Sequence, residues 1–482
     1  MRRTPHHLEE PRVTQPFPND PFLTGYFAPS GVECDAPDLV IEGELPRDLA
    51  GTYYRNGPDP LHAPRKNDVP HWFDGDGMIQ CFHVENGRVS WRNRWVRSEK
   101  FKRELAAGER LFGVFGNPMM GDPSVAGVEY NTANTHIVQH AGRLLALMEG
   151  ALPTELKHRT LETLGTHNFD GAIAGPVTAH PKFDAASGEM VFFGYSATGP
   201  ASKTLRYSVA DKSGKIIRNE FFDAPFAAMV HDFFVTQTHV IFPIFPLTMN
   251  MERIMTGGPM LAWEPDKGTH FGVVPRNGTA ADVKWYTMEA RFMFHMMNAW
   301  TDGTKLHADV TGANATQFAP KLDGNMAAVS DGVAPTFRRW SIDLASNSGT
   351  IQEELLDDIA CEFPRTDQRV ETMPYRHGYA VGTPGETLTN FNHLIHFDRQ
   401  TGQRHVYAPG DHYMLGEAVF APRQGATKEG DGYLVMLGYD QRVNKSELMI
   451  FDAQSITQGP VAVAKVPMRV PAGFHGSWIG AN

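Results

Sequence analysis

Four histidines stand in short apolar runs, and they are the residues of this sequence best suited to chemistry. They are His180 in VTAHPKFD, His231 in AMVHDFFV, His295 in FMFHMMNAW and His475 in AGFHGSW. Burying an imidazole without a partner costs roughly 1–3 kcal/mol, so each ring needs a hydrogen bond or a metal. Taken singly, each fits an ordinary core role. Taken together, they are candidate ligands for a borderline metal such as iron, zinc or copper.

The spacing of these histidines suggests a repeating architecture. The four positions are separated by 51, 64 and 180 residues, and the last gap is three times 60. If one repeat has about 50–70 residues, each histidine can occupy the same place in its own repeat. Seven repeats would take about 69 residues each of the 482. Because four neutral rings bring no charge to a metal, nearby carboxylates are expected to orient the rings and balance the charge.

The elements that must position these residues are mostly strands joined by turns. An Asp followed by a Ser, Thr or Gly turn and a new strand recurs in FDAASGEMVFFGY, ADKSGKIIRNEFF, IDLASNSGTIQEEL and FDRQTGQRHVY. Such hairpins predict an all-β fold, either a multi-bladed β-propeller or a large sandwich. The best helical pattern is residues 98–112, where Phe101, Leu105 and Leu111 stand near helical spacing.

Several common catalytic motifs are missing from the sequence. There is no GxSxG, Walker loop or HExxH. The Gly-rich FDGDGM (73–78) precedes the strand-like IQCFHV, whereas a phosphate cradle needs a helix there, so we interpret it as a turn. Histidine is therefore the informative residue type in this sequence.

Composition narrows the partners and the compartment. The formal net charge of −11 and the lack of a basic stripe argue against nucleic acid. Three cysteines without a CxxC pair, and an N-terminus without an apolar signal segment, predict a cytoplasmic protein. The apolar segment 239–263 could rest on a membrane surface but not cross it, and buried strand plus loop is the alternative. We predict one domain over 20–482 after a flexible segment, 1–19.

Longer motifs carry a family resemblance. Together with the runs around the four histidines, the segments YYRNGPDP, WFDGDGMI, NTANTHIVQHAGRLLALMEG, EFPRTDQR, GEAVFAPR and FHGSW resemble the carotenoid cleavage oxygenases, in the family's order. The resemblance implies a seven-bladed β-propeller, with helical and loop insertions forming a dome over an axial Fe(II). The residues it implies as iron ligands are His180, His231, His295 and His475. Those it implies as their supports are Glu149, Glu362 and Glu417.

The resemblance also implies an activity, the cleavage of a C=C bond by O2 into two carbonyl products. Some family members act on carotenoids or apocarotenoids, and others on phenolic alkenes such as lignostilbenes and isoeugenol. The phenolic enzymes hold the substrate hydroxyl with a Tyr in YRNP and a Lys in KED. Here VFGNP gives Phe115 and LMEG gives Met148, while Phe73 in WFDGD keeps the aromatic wall. A site without those polar anchors favours an apolar polyene.

We therefore predict a carotenoid or apocarotenoid substrate, with a tunnel mouth that touches a membrane. A stilbenoid or phenylpropenoid alkene is the alternative. A non-catalytic propeller that binds a lipid or a protein is a hypothesis from another class, but it would not need all seven His and Glu residues. An isomerohydrolase would keep the same iron site. The sequence carries no signal for the oligomeric state.

Overall fold

Short antiparallel strands joined by Asp- and Gly-containing turns form the seven blades of a propeller. Two neighbouring blades share one seven-stranded sheet, and a two-stranded hairpin lies outside the blades. The computed structural model describes residues 15–115, 120–384 and 390–481. Most of the segment predicted to be flexible, residues 1–14, and the GNP of VFGNP lie outside these ranges. All four Asp-turn motifs join neighbouring strands of one blade, as their turn chemistry predicts.

The blades are numbered here in chain order from the N-terminus. The strands of blades 1 to 4 are, in blade 1, Asp35–Ala36, Gly51–Arg55, Pro58–Asp59, Asp76–Glu85, Arg88–Trp95 and Gly476–Gly480; in blade 2, His136–His140, Arg143–Leu147, Thr154–Leu156 and Thr163–Thr166; in blade 3, Lys182–Phe183, Met190–Gly194, Thr204–Ala210 and Ile216–Asp223; in blade 4, Phe234–Val235, His239–Ile244, Thr269–Pro275 and Lys284–Met288.

One long strand, Gln352–Thr366, serves two blades, because its first part pairs backward and its second part pairs forward. The other strands of blades 5 to 7 are, in blade 5, Phe292–Asp302, Lys305–Ala313 and Thr336–Asp343; in blade 6, His377–Gly382, His393–Asp398 and Gln403–Tyr407; in blade 7, Val40–Gly43, Tyr413–Leu415, Val419–Pro422, Gly432–Asp440, Lys445–Asp452 and Ala462–Lys465.

The two ends of the chain close the ring. Strand Gly476–Gly480 pairs with Gly51–Arg55 in blade 1, so that Trp478 lies opposite Tyr53. Strand Val40–Gly43 pairs with Ala462–Lys465 in blade 7. Blades 1 and 7 therefore each combine strands from the first and the last parts of the chain.

Helices are few, as the sequence predicts. The α-helices in the described residues are Glu99–Ala107 and Met251–Met255, and the 3₁₀ turns are Pro21–Leu23, Gly25–Phe27, Pro123–Val125, Pro265–Lys267, Ala280–Asp282, Val329–Asp331, Gln368–Val370 and Ile456–Gln458. Neither α-helix is long and apolar enough to span a membrane. The apolar segment 239–263 is a buried strand followed by the hairpin Leu247–Met249 and Leu261–Trp263, which carries the shorter helix.

The first helix is shorter than the predicted 98–112. It begins after Ser98, whose side chain accepts the Phe101 N–H, and it ends at Gly108, where φ is 73°. That left-handed residue caps the helix and turns the chain away. The Glu104 carboxylate then accepts the backbone N–H groups of Leu111 and Phe112, each at 2.9 Å. The helix therefore anchors the loop that leads to Phe115.

Candidate metal centre and the cavity above it

The four predicted histidines come together in the structure, each in or just before a strand at the edge of its sheet. His180 precedes Lys182–Phe183 of blade 3, His231 precedes Phe234–Val235 of blade 4, His295 lies in Phe292–Asp302 of blade 5, and His475 precedes Gly476–Gly480 of blade 1. All four are buried, and one nitrogen from each lies within 4.8 Å of the others. Equivalent positions in four blades thus converge on one point.

Three of the rings are oriented by glutamates. The Nδ1–H of His231 donates to Glu149 at 2.5 Å, that of His295 donates to Glu362 at 2.5 Å, and that of His475 donates to Glu417 at 2.8 Å. These are the three glutamates that the family resemblance indicates. In the described part of the chain, no carboxylate binds the His180 ring, which instead contacts the rings of His136, His231 and His475.

Each glutamate is itself held by its other contacts. Tyr195 donates its hydroxyl to Glu149 at 2.7 Å. Thr311 donates to Glu362 at 3.2 Å. Glu417 accepts the backbone N–H of Gly476 at 2.8 Å, and Arg365 lies 3.5 Å from it. Tyr195 and Thr311 carry no sequence signal, because their roles arise only when distant strands meet.

The nitrogens fit a shared cation. A ring whose Nδ1–H binds a carboxylate turns an Nε2 lone pair toward the centre, and such lone pairs repel unless a cation lies between them. The Nε2 of His231 is 3.0 Å from that of His180 and 3.2 Å from that of His295. Two nitrogens bound at right angles to an ion about 2.1 Å away would be about 3 Å apart. The cluster is therefore a candidate metal site.

Burial favours the neutral, metal-binding form at two of the rings. It lowers the pKa of His180 and that of His475 well below the ordinary value, and the neighbouring histidines lower both further. At His295 burial also disfavours the charged ring, but the carboxylates of Glu362, Asp232 and Glu417 together outweigh it and raise the pKa. Protonation therefore competes with metal binding more at His295 than at His180 or His475.

A cavity of about 250 Å³ opens directly onto the cluster. His231, His295 and His475 form part of its wall. Rings supply most of the rest: His71, Trp72, Phe73, Phe115, Phe294, Phe318, Phe363, Phe391 and Phe474. Several of these rings belong to loops outside the strands. These loops form the dome over the histidines that the resemblance implies. An apolar, aromatic cavity of this kind excludes water from the metal centre.

The predicted substrate residues Phe73, Phe115 and Met148 all line this cavity. The ring of Phe73 packs against Phe115 (centroids 5.1 Å apart) and Phe474 (5.3 Å). Phe115 is held by its backbone N–H, which donates to Asp74 at 2.7 Å. The sulfur of Met148 accepts the Gly150 N–H at 3.0 Å. Neither Phe115 nor Met148 presents a hydrogen-bond donor, as the sequence predicts.

A second, smaller cavity of about 70 Å³ also reaches the cluster, beside His180, His295 and His475. Its wall contains more charged residues than that of the aromatic cavity, namely Lys182, Asp232, Arg365, Glu371 and Glu417. Lys182 pairs with Asp232 at 2.6 Å. The centre therefore lies between an aromatic cavity and a more highly charged one.

This arrangement, four buried histidines on a propeller under an aromatic cavity, could hold a metal ion. The model of the retinal pigment epithelial membrane protein family matches residues 27–480, so the chain belongs to this family of carotenoid cleavage oxygenases. The resemblance seen in the sequence and the seven-bladed fold are thus both confirmed. The family members are oxygenases that act on alkenes with O2.

Individual relatives cover nearly the whole chain. The isoeugenol monooxygenase of Pseudomonas nitroreducens is 37% identical, over 96% of this chain and 98% of its own. The solved lignostilbene dioxygenase of Pseudomonas brassicacearum is 38% identical with a TM-score of 0.92, over 97% of this chain and 100% of its own. The cobalt-substituted apocarotenoid oxygenase of Synechocystis is 31% identical with a TM-score of 0.83, over 94% and 97%.

Proposed function

We propose that this protein is an Fe(II)-dependent dioxygenase that cleaves the C=C bond of an aryl alkene, of the stilbenoid or phenylpropenoid type. The reaction joins one O2 to the alkene, and the C=C bond is replaced by two C=O groups, one in each product. Bound iron would supply the activation of O2. The residues that would hold it are His180, His231, His295 and His475, supported by Glu149, Glu362 and Glu417.

The observation that carries this proposal is the aromatic wall beside the histidines. Phe294 packs edge-on against His231, with centroids 5.3 Å apart, and Phe318 packs edge-on against Phe294 at 5.1 Å. The edges and faces of these rings can pack against a flat aryl ring of a substrate. Each such aromatic pair contributes about 0.5–1.5 kcal/mol to binding, in addition to the burial of apolar surface. The wall would hold the alkene beside the metal and keep water out.

Similarity to known proteins also favours an aryl alkene over the carotenoid predicted from the sequence. The lignostilbene dioxygenase has the higher TM-score, 0.92 against 0.83 for the apocarotenoid oxygenase. The sequence prediction rested on the absence of phenol donors at positions 115 and 148. The absence of these donors affects the binding of a phenolic hydroxyl. It does not affect the binding of an aryl ring, which depends mainly on the rings around it. An apocarotenoid remains the second candidate because Phe115 and Met148 are both apolar.

The test is the turnover of a substrate panel under ¹⁸O2. We expect iron-loaded protein to cleave stilbenes or isoeugenol to aldehydes, each carrying one labelled oxygen in mass spectra. A His475→Ala variant should be inactive, because it loses a metal ligand. Faster cleavage of an apocarotenal than of every aryl alkene would reverse the order of the two candidates.

A further inference from the structure

His71 stands at the boundary between two cavities. Its ring lines the aromatic cavity over the histidine cluster, and it also lines a neighbouring cavity of about 310 Å³ bordered by residues such as Val69, Pro259 and Met260. The ring stacks on Phe115, with centroids 5.0 Å apart and planes 27° apart, and meets Phe73 edge-on at 4.7 Å. These contacts fix where its nitrogens point.

The hydrogen bonding of His71 determines which nitrogen carries the proton. The backbone N–H of Phe73 donates to Nδ1 at 3.1 Å, so Nδ1 is an acceptor and the proton sits on Nε2. Burial lowers the pKa of His71 to about 4, so the ring is neutral at pH 7. Nε2 has no hydrogen-bond partner among the described residues. Within the described residues this donor is therefore unpartnered, on a ring that lines the aromatic cavity.

A bound substrate can reach this donor. Phe73 and Phe318 each contact both His71 and Phe294, and Phe294 packs on His231. The rings of Phe73 and Phe318, and then that of Phe294, thus connect His71 to the metal ligand His231 by direct contacts. A molecule lying along this wall with its alkene at the cluster would extend its aryl end toward His71.

We infer that His71 is a specificity-determining residue that donates Nε2–H to an oxygen substituent on the aryl ring of the substrate. The inference rests on the proposed function and narrows it to aryl alkenes bearing a neutral hydrogen-bond acceptor, such as a methoxy or carbonyl group. A neutral acceptor fits because Nε2–H can only donate. No Lys or Arg side chain lines this cavity in the described residues to meet an anionic substituent.

The test compares two variants on two ligands. His71→Phe keeps the ring packing and removes the donor, and His71→Gln restores an N–H donor on a flexible side chain. The ligands are 4-methoxystilbene and unsubstituted stilbene. Dissociation constants are measured by fluorescence titration on iron-loaded protein without O2, so that no turnover occurs, and kcat/KM is then measured in air.

We expect wild-type protein to bind 4-methoxystilbene more tightly than stilbene. His71→Phe should weaken binding of 4-methoxystilbene about tenfold more than binding of stilbene, the worth of one hydrogen bond. His71→Gln should recover part of the loss. Equal effects on both ligands, or none, would overturn the inference and leave His71 as a packing residue.

A failure of the proposed function would give a different result from a failure of the inference about His71. In that case wild-type protein in air would cleave neither stilbene and would cleave an apocarotenal instead. The anaerobic binding comparison still decides the role of His71, because it depends on the methoxy group and not on turnover. If wild-type protein binds neither stilbene, both the inference and the proposed function fail.

Discussion

The Glu362 carboxylate accepts the Nδ1 proton of His295 at 2.5 Å across the boundary between two neighbouring blades. His295 lies on the first strand of blade 5, and Glu362 lies where the long strand Gln352–Thr366 passes into blade 6. Glu417 and His475 repeat this relation between blades 7 and 1. The orientation of these rings is therefore set by a glutamate from another blade, and the centre depends on the packing of whole blades.

The first prediction concerns this orientation. Glu362→Gln keeps the size of the side chain but removes the charge that holds the His295 proton on Nδ1. We expect iron affinity to fall about 10–100-fold, as is usual for such supporting carboxylates. Iron content and competition with a chelator measure this. Glu447→Gln is the matched control, because Glu447 is as buried but binds Lys465, in blade 7. Equal iron affinity in Glu362→Gln and wild-type protein would contradict the prediction.

The second prediction concerns the substrate hydroxyl. Phe115→Tyr combined with Met148→Lys places a hydroxyl and an ammonium group in the aromatic cavity, where the chain has neither at those positions. We expect kcat/KM for 4-hydroxystilbene to rise at least tenfold, since one satisfied hydrogen bond to a charged group contributes about 1.5–3 kcal/mol. Unsubstituted stilbene, which has no hydroxyl, is the control and should gain nothing. A double variant without phenolic gain would show that the two positions are not anchors.

The third prediction concerns pH and stability. Burial raises the pKa of Glu371 to about 7, although Lys182 and the Phe183 N–H, which donates at 3.0 Å, oppose the rise. The folded protein therefore holds this proton more tightly than the unfolded chain. The associated stability is present below about pH 4 and is lost as the pH rises through 7. By pH 8 the loss should be of the order of 3 kcal/mol.

Glu371→Gln removes this titration. We expect the variant to be more stable than wild type at pH 8 and close to it at pH 4.5, in urea denaturation followed by fluorescence. Glu354→Gln, at an exposed position of blade 5, should show no such difference between the two pH values. A Glu371→Gln advantage that is the same at both pH values would mean that Glu371 does not titrate in this range.

The sequence located the histidines because their apolar neighbours belong to the inner strands of four blades, where local patterning is strong. It located the glutamates only through the family motifs, since an acidic residue at a strand end is usually a solvated charge. His71 was missed although it stands two residues before Phe73, in HWFDGDGM. Its free Nε2–H depends on its own bond to the Phe73 N–H and on rings from distant loops, and neither is visible in a one-dimensional pattern.

The substrate class was the least predictable part. The polar anchors missing at 115 and 148 pointed to a polyene, and the aromatic wall that favours an aryl ring comes from residues as far apart as Phe73, Phe318 and Phe474. The predicted end of the first helix, at residue 112, was also wrong. The prediction followed the apolar spacing as far as Leu111 and did not treat Gly108 as the end of the helix. A left-handed glycine ends a helix regardless of the side chains beyond it.

The ring is closed by the strand Gly476–Gly480, and His475 stands immediately before it. During synthesis, the first three histidines leave the ribosome long before the fourth, together with the strands that place them. A nascent or proteolytically shortened chain without this last segment would offer three nitrogens in an open ring. Metal loading is therefore expected to follow synthesis of this strand, and loss of these few residues should abolish the centre and the ring closure together.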